Sequence, residues 1–117
     1  MTINKRLSIA LLLLVMGLLG FAIYQLNAVN RLAAEIQAEH QVDVVMYGAT
    51  WCGVCARARQ DLAQANINYI ELNVEASDVG NRQFRQLGGT GVPLFVANGK
   101  LIRGYSPQQL QLALQSN

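Results

Sequence analysis

One stretch of this chain, residues 7–26, constrains its fold more than any other. It reads LSIALLLLVMGLLGFAIYQL and contains no charged residue. It also explains why hydrophobic residues make up 52% of only 117 residues. As an α-helix it would extend about 30 Å, which is the thickness of the hydrocarbon core of a bilayer. We therefore expect residues 7–26 to form a transmembrane or signal-anchor helix.

The charges beside this stretch predict its orientation. Lys5 and Arg6 precede it, and no cluster of positive charge follows it. The positive-inside rule then makes residues 1–6 a cytoplasmic N-terminus. We expect a single-pass protein of the inner (plasma) membrane whose remaining residues face the periplasm or an equivalent extracytoplasmic space. A signal peptide cleaved after Ala28, with secretion to the periplasm, is one alternative. A buried helix of a soluble protein is another.

Residues 27–41 differ in character from the stretch before them. Val29, Leu32, Ala33 and Ile36 fall on one helical face, and charged residues lie elsewhere. This pattern predicts a juxtamembrane helical linker that ends in a short hinge and lifts the following domain off the membrane. We expect His40, the only histidine, to be a solvated linker residue.

Residues 42–117 alternate between strand and helix patterns and predict one α/β domain. The expected order is β-α-β-α-β-β-α, with a parallel first pair of strands and a hairpin turn at Asn98-Gly99. Ser106 and Pro107 have the residue types of a helix start. The strands should form a four-stranded mixed sheet with helices on its faces. The predicted segments are strands at 42–48 and 67–74, helices at 53–65, 76–87 and 106–115, and a hairpin within 92–105.

The chain contains two cysteines, and both lie in the sequence GATWCGVCAR. Cys52 should open a helix, where free N–H groups and the helix dipole stabilise a thiolate. Cys55, on the same face and more buried, could then attack a mixed disulfide formed at Cys52. A purely structural disulfide across so short a loop would stabilise little. A zinc site would need more ligands than this pair and His40 provide. A metal or thiol carrier that uses the two thiols as ligands remains an alternative.

Residues around the cysteines form the expected substrate site. Trp51 could fill the core, but an apolar platform beside the thiol is the favoured interpretation, with Gly53 and Val54 next to it. Pro93 begins a strand in TGVPLFV, and a cis Val92–Pro93 bond would expose backbone groups for an extended substrate. Other charges allow two interpretations each: Arg57 and Arg59 either lie on a solvated helix face or add positive potential near the thiolate. The net charge of +2 and the absence of a basic stripe argue against nucleic acid as a partner.

From Val42 onward the chain resembles a glutaredoxin, within the thioredoxin superfamily. The sequences MYGATWCGVCARAR and GVPLFV carry the resemblance, together with the Asn-Gly hairpin followed by GY. The resemblance implies a thioredoxin fold, a nucleophilic Cys52, a resolving Cys55 and a cis Pro93. We expect no cofactor other than the redox-active Cys52–Cys55 disulfide, with glutathione as the alternative.

Several positions depart from the glutaredoxin pattern. Glutathione-binding members usually carry a Lys where Ala49 and Thr50 stand, Pro-Tyr between the cysteines, and an acid where GYSPQQ follows the last strand. Thioredoxins place an acid at the position of Met46. We therefore expect a monomeric, membrane-anchored thiol-disulfide oxidoreductase that exchanges disulfides with protein thiols, with an electron donor or acceptor that the sequence leaves open. A glutathione-dependent glutaredoxin is the alternative enzyme.

Overall fold

The computed structural model of this chain describes residues 2–115. From residue 42 onward the elements follow the predicted β-α-β-α-β-β-α order. The elements are α1 Thr2–His40, β1 Val44–Gly48, α2 Gly53–Gln64, β2 Tyr69–Asn73, α3 Asp78–Gln86, β3 Leu94–Ala97, β4 Lys100–Arg103 and α4 Pro107–Gln115.

The four strands form one mixed sheet in the order β2-β1-β3-β4, which confirms the predicted sheet. β1 pairs in parallel with β2 and antiparallel with β3. The β3–β4 hairpin turns at Asn98 and Gly99, whose φ angles are 52° and 68°. Positive φ at both central residues is what an Asn-Gly hairpin turn requires. β1 is buried at all five positions, which explains its continuous apolar sequence VVMYG.

Helices cover both faces of the sheet. Val44 and Met46 of β1 belong to a buried cluster that includes residues of α2 and α4. Val45 and Tyr47 belong to a second buried cluster that includes α1 residues, with Phe84 of α3 packed against it. This alternation follows from the two-residue period of a strand. The fold is therefore a thioredoxin-like layer arrangement with α2 and α4 on one face and α1 and α3 on the other.

The predicted linker does not form a separate arm. α1 is unbroken from Thr2 to His40, and within it Ala33 is 0% exposed and Ile36 is 3% exposed. The Gln37 side chain bonds the domain at three points, accepting from Gly99 N at 2.7 Å and donating to the carbonyls of residues 42 and 43. The sequence correctly predicted an apolar helical face, but the partner of that face is the sheet. Residues 29–40 thus belong to the folded domain.

His40 is also more than a solvated linker residue. It is partly buried, and its Nε2 lies 3.3 Å from Oε1 of Gln83 on α3. Tyr47 donates its hydroxyl proton to the same oxygen at 2.9 Å. The expectation of a solvated His40 was wrong because the helix that carries it packs onto the sheet.

The N-terminal two-thirds of α1 has a different environment. Its large apolar side chains between residues 7 and 26 are 44–69% exposed. The helix is long and apolar enough to cross a membrane, and a signal sequence would have the same properties. The apolar stretch is therefore a candidate membrane span or signal sequence.

Side-chain caps set two helix starts. Ser77 Oγ accepts from Gly80 N at 3.0 Å, so α3 begins at Asp78 rather than at the predicted residue 76. Ser106 Oγ accepts from Gln109 N at 3.4 Å, and α4 begins at Pro107, as the sequence predicted. These caps satisfy amides that have no carbonyl partner within the helix.

Candidate active site

The two cysteines lie where β1 leads into α2. β1 ends at Gly48, a short loop follows, and Cys52 is the N-cap of α2 with an extended backbone. Cys52 Sγ accepts a hydrogen bond from Cys55 N at 3.1 Å. The two residues form a disulfide with a Cα–Cα distance of 5.2 Å. A disulfide therefore lies at the positive end of a helix.

The helix start distinguishes the two sulfur atoms. The first amides of an α-helix have no intrahelical acceptor, and they stabilise negative charge on an N-cap atom. Cys52 occupies this position, whereas Cys55 lies within the first turn. Cys52 is 6% exposed and Cys55 is 0% exposed, so both are buried in the oxidised state and their order of exposure is as predicted. The arrangement suits exchange at the sulfur of Cys52.

The predicted substrate residues differ in their exposure. Trp51 is 70% exposed, which excludes the interpretation that it fills the core. Gly53 is exposed and Val54 is 52% exposed. Val92 packs against the buried cluster that contains both cysteines, and the bond between Val92 and Pro93 is cis. Trp51, Gly53 and Val54 are therefore exposed next to the cysteines in the chain, whereas Val92 is partly buried and Pro93 is buried.

A carboxylate that sequence reasoning missed lies behind the disulfide. A Cβ atom added at Gly48 would lie 2.7 Å from Glu71 Oε1 and 3.4 Å from Cys55 Sγ. Glycine at this position therefore leaves room for the Glu71 side chain close to Cys55. Glu71 on β2 pairs in register with Met46, the position where the sequence lacked an acid. Strand register could have revealed this residue, but only once the pairing of β1 with β2 was known.

Arg59 is bound to this carboxylate. Its Nε donates to Glu71 Oε2 at 2.5 Å, and the hydrogen bond to Glu71 raises the pKa of Arg59. Arg59 is thus partly buried and paired, whereas Arg57 is exposed. A surface cleft of about 490 Å³ runs beside the cysteines and includes Arg57. The cleft is lined by Gly53, Val54, Arg57, Tyr105, Pro107 and Gln108.

Tyr105 connects this cleft to α2. Its hydroxyl donates to Asp61, and burial, followed by this hydrogen bond, raises the pKa of Tyr105 to about 12. Burial also raises the pKa of Tyr47, which lies on the opposite face of the sheet. Neither tyrosine was among the predicted site residues. Among residues 2–115, no group of three or more His, Cys, Asp or Glu side chains could hold a metal ion.

Comparisons with known proteins agree with this geometry. The sequence model of the glutaredoxin family matches residues 44–102. Glutaredoxin C1 from Populus tremula x tremuloides, solved in its holo form, is 26% identical, with a TM-score of 0.53 over 77% of this chain and 89% of that chain. Glutaredoxin from Archaeoglobus fulgidus is 20% identical, with a TM-score of 0.55 over 64% and 88% of the two chains.

A third solved structure, the thioredoxin-like protein BC3987, is 24% identical, with a TM-score of 0.56 over 61% of this chain and 99% of that chain. No curated protein matches the chain. The family match covers half of the chain and contains both cysteines, and these structures share its fold. The resemblance inferred from the motif sequences is confirmed. The chain belongs to the glutaredoxin family, and its close cysteine pair makes it a thiol-disulfide oxidoreductase.

Proposed function

We propose that this protein is a membrane-anchored thiol-disulfide oxidoreductase that exchanges disulfides with protein thiols on the extracytoplasmic side of the membrane. The observation that carries the proposal is the Cys52–Cys55 disulfide at the N-terminus of α2, beside the exposed indole of Trp51. The disulfide supplies the chemistry, and the exposed apolar side chains of Trp51 and Val54, its neighbours in the chain, favour a macromolecular substrate over a small one.

The exchange proceeds in two displacements. In the reduced enzyme the Cys52 thiolate attacks a substrate disulfide, forms a mixed disulfide and releases one substrate thiolate. Cys55 then loses its proton, and its thiolate attacks the sulfur of Cys52. The second substrate thiolate leaves, and the enzyme is left with the Cys52–Cys55 disulfide. The same steps in reverse oxidise a substrate, and a partner of matching potential restores the starting state.

The groups near the cysteines favour protein substrates over glutathione. Ala49 is fully buried, and the Thr50 hydroxyl accepts a hydrogen bond from Asn73. Arg59 is paired with Glu71, and Asp61 accepts from Tyr105. The two positions where glutathione-binding members usually carry a Lys are therefore occupied by a buried apolar residue and by a hydroxyl that is already hydrogen-bonded, and Arg59 and Asp61 are engaged by other side chains. An extended protein segment can instead contact Trp51 and the backbone at Val92.

Because α1 is one unbroken helix, it would hold the disulfide site close to the membrane. The buried Ala33 lies seven positions after Leu26, the end of the apolar stretch. At 1.5 Å a residue this is about 10 Å of helix. If residues 7–26 span the bilayer, the redox domain rests within about 10 Å of its surface. Substrate cysteines must then come close to the membrane.

A trapping experiment tests the assignment of the two sulfur atoms. Cys55→Ser retains the attacking thiol but nothing that resolves the adduct, so it should accumulate a mixed disulfide with a disulfide-bonded protein. Cys52→Ser should form none. Both variants are reduced, mixed with substrate, quenched with acid and run on a non-reducing gel, with the double Cys→Ser variant as the control.

The other outcomes have definite meanings. Adducts from Cys52→Ser alone would reverse the two roles. No adduct from either single variant, combined with one metal ion bound per reduced wild-type chain, would replace the enzyme proposal with the metal-carrier alternative. Turnover of glutathione that saturates and exceeds the rate with protein disulfides would overturn the choice of substrate.

A further inference from the structure

The β2–α3 loop, residues 74–77, is bonded to the loop that carries the cysteines. Trp51 Nε1 donates to Glu75 Oε1 at 2.6 Å, although the indole itself is 70% exposed. This bond joins the residue that precedes Cys52 to an acid 24 positions later in the chain. Glu75 lies outside the set of residues that the proposed exchange uses.

Glu75 is itself held in place by Asn73. Asn73 Oδ1 accepts from the backbone N of Glu75 at 2.9 Å and of Ala76 at 3.0 Å. Its Nδ2 donates to Thr50 Oγ1 at 3.0 Å. Backbone pairing adds a third hydrogen bond between the two segments, since the amide of residue 74 donates to the carbonyl of Gly48 at 3.0 Å. The two loops therefore form one hydrogen-bonded unit.

The hydrogen bond between Trp51 and Glu75 matters because an exposed indole has few packing contacts that would fix its orientation. Rotation about its two side-chain torsions would move the ring across the surface beside Cys52, and a substrate would have to immobilise it on binding. An acceptor that carries negative charge gives a short, strong and directional bond. Fixing the ring before binding reduces the entropy lost when a substrate docks.

The carboxylate also adds charge at the edge of the site. Glu75 is exposed, and only one of its two oxygens accepts from Trp51. A carboxylate can accept further hydrogen bonds, for which a guanidinium or ammonium group is the natural donor. The exposed cation Arg57 lines a different part of the site, next to Gly53 and Val54. An acid therefore lies at the Trp51 side of the disulfide.

We propose that Glu75 positions Trp51 as a preformed wall of the substrate site and selects protein segments that carry Lys or Arg beside the reactive cysteine. This inference rests on the proposed function, because it names the substrates of the same site. It assigns to Glu75 two separable contributions. One is the hydrogen bond that fixes the indole, and the other is the negative charge that the substrate meets.

Two substitutions separate these contributions. Glu75→Gln keeps an acceptor oxygen for the indole and removes the charge, whereas Glu75→Leu removes both. Glu35→Leu, at an exposed position of α1 on the opposite face of the sheet, is the matched control. All are made in the full chain, in detergent micelles, with the cysteines reduced.

The first readout is the fluorescence anisotropy decay of Trp51, the only tryptophan of the chain. We expect Glu75→Leu to increase the fast component of the decay, and Glu75→Gln and Glu35→Leu to match the wild type. This measurement requires no thiol exchange, so it is independent of the proposed function. An unchanged decay in Glu75→Leu would refute the positioning role.

The second readout is kcat/KM, with a dithiol reductant returning the enzyme to its reduced state, for two disulfide-bonded peptides that differ only in a Lys or a Glu beside the cysteine. An exposed ion pair predicts a preference of about two- to five-fold for the Lys peptide, which declines with added salt. Glu75→Gln should abolish the preference, and Glu75→Leu should in addition raise KM for both peptides. A preference that persists in Glu75→Gln would show that the charge of Glu75 does not select the substrate. If the wild type exchanges neither peptide, the proposed function and the substrate preference both fail.

Discussion

Replacing Ile36 with alanine tests whether the end of α1 belongs to the domain core. Ile36 is 3% exposed and belongs to the buried cluster that includes Val45, Tyr47 and Val96. Ile→Ala at a buried site typically costs about 2–5 kcal/mol. The higher helix propensity of alanine returns a few tenths of a kcal/mol. We therefore expect the free energy of unfolding to fall by about 3 kcal/mol.

The matched control is Ile23→Ala in the same helix. Ile23 is 58% exposed and lies in the apolar stretch, so its truncation should change the stability of the domain by less than about 0.5 kcal/mol. The full chain is unfolded with urea in detergent micelles, and Trp51 fluorescence follows the transition. With a slope of about 1.5 kcal/mol per molar urea, the Ile36→Ala midpoint should fall by roughly 2 M.

The outcome distinguishes the two interpretations of residues 27–41. If these residues formed a separate arm, as their sequence alone suggested, Ile36→Ala and Ile23→Ala would have the same small effect. Equal midpoints for the two variants would therefore refute the packing argument. A large loss confined to Ile36→Ala would support it.

Four further outcomes are expected. Gly48→Ala should displace the Glu71 carboxylate and lower stability by about 1 kcal/mol in urea unfolding, whereas Gly53→Ala, whose Cβ would meet no atom within 4 Å, should not. Because the pKa of Tyr105 is raised to about 12 in the folded protein, its contribution to stability should be constant below about pH 10. That contribution should be lost as the pH rises towards 12, and Tyr105→Phe should remove this part of the pH dependence measured by urea unfolding. Residues 7–26 should keep the full chain in the membrane fraction through a high-salt, alkaline wash, and recovery of a mature chain from the soluble fraction would identify a signal peptide instead. Activity should be weak in a glutathione-coupled assay on a small mixed disulfide and higher with a protein disulfide, as turnover measurements on the two substrates would show.

Much of the fold was predictable because local patterns and tertiary contacts agree. The apolar run of β1, the Asn98-Gly99 turn and the Ser106-Pro107 helix start each specify an element without reference to distant residues. The position of Cys52 at a helix start followed from the same order of elements. These features depend on sequence neighbours only, so a single sequence contains them.

The unpredicted features of the site all depend on contacts between distant parts of the chain. Glu71 approaches Cys55 because the register of β1 with β2 and the missing side chain of Gly48 allow it. Glu75 contacts Trp51 because β1 and β2 are parallel, so that the loops following them begin at the same end of the sheet. Neither acid lies in a recognisable motif, and the sequence distance to its partner is 16 or more residues.

The sequence by itself determined the apolar stretch, the order of elements and the paired cysteines, since each depends on residues that are adjacent or one helical turn apart. The tertiary structure decided what the apolar face of residues 29–40 packs against, which charges are paired, and which side chains reach the disulfide. A helical pattern records that one face is apolar, but not whether a membrane, a sheet or another helix covers it. In this protein the apolar residues of α1 have two different environments. The first part of the helix remains exposed, whereas Ala33 and Ile36 pack into the core of the redox domain.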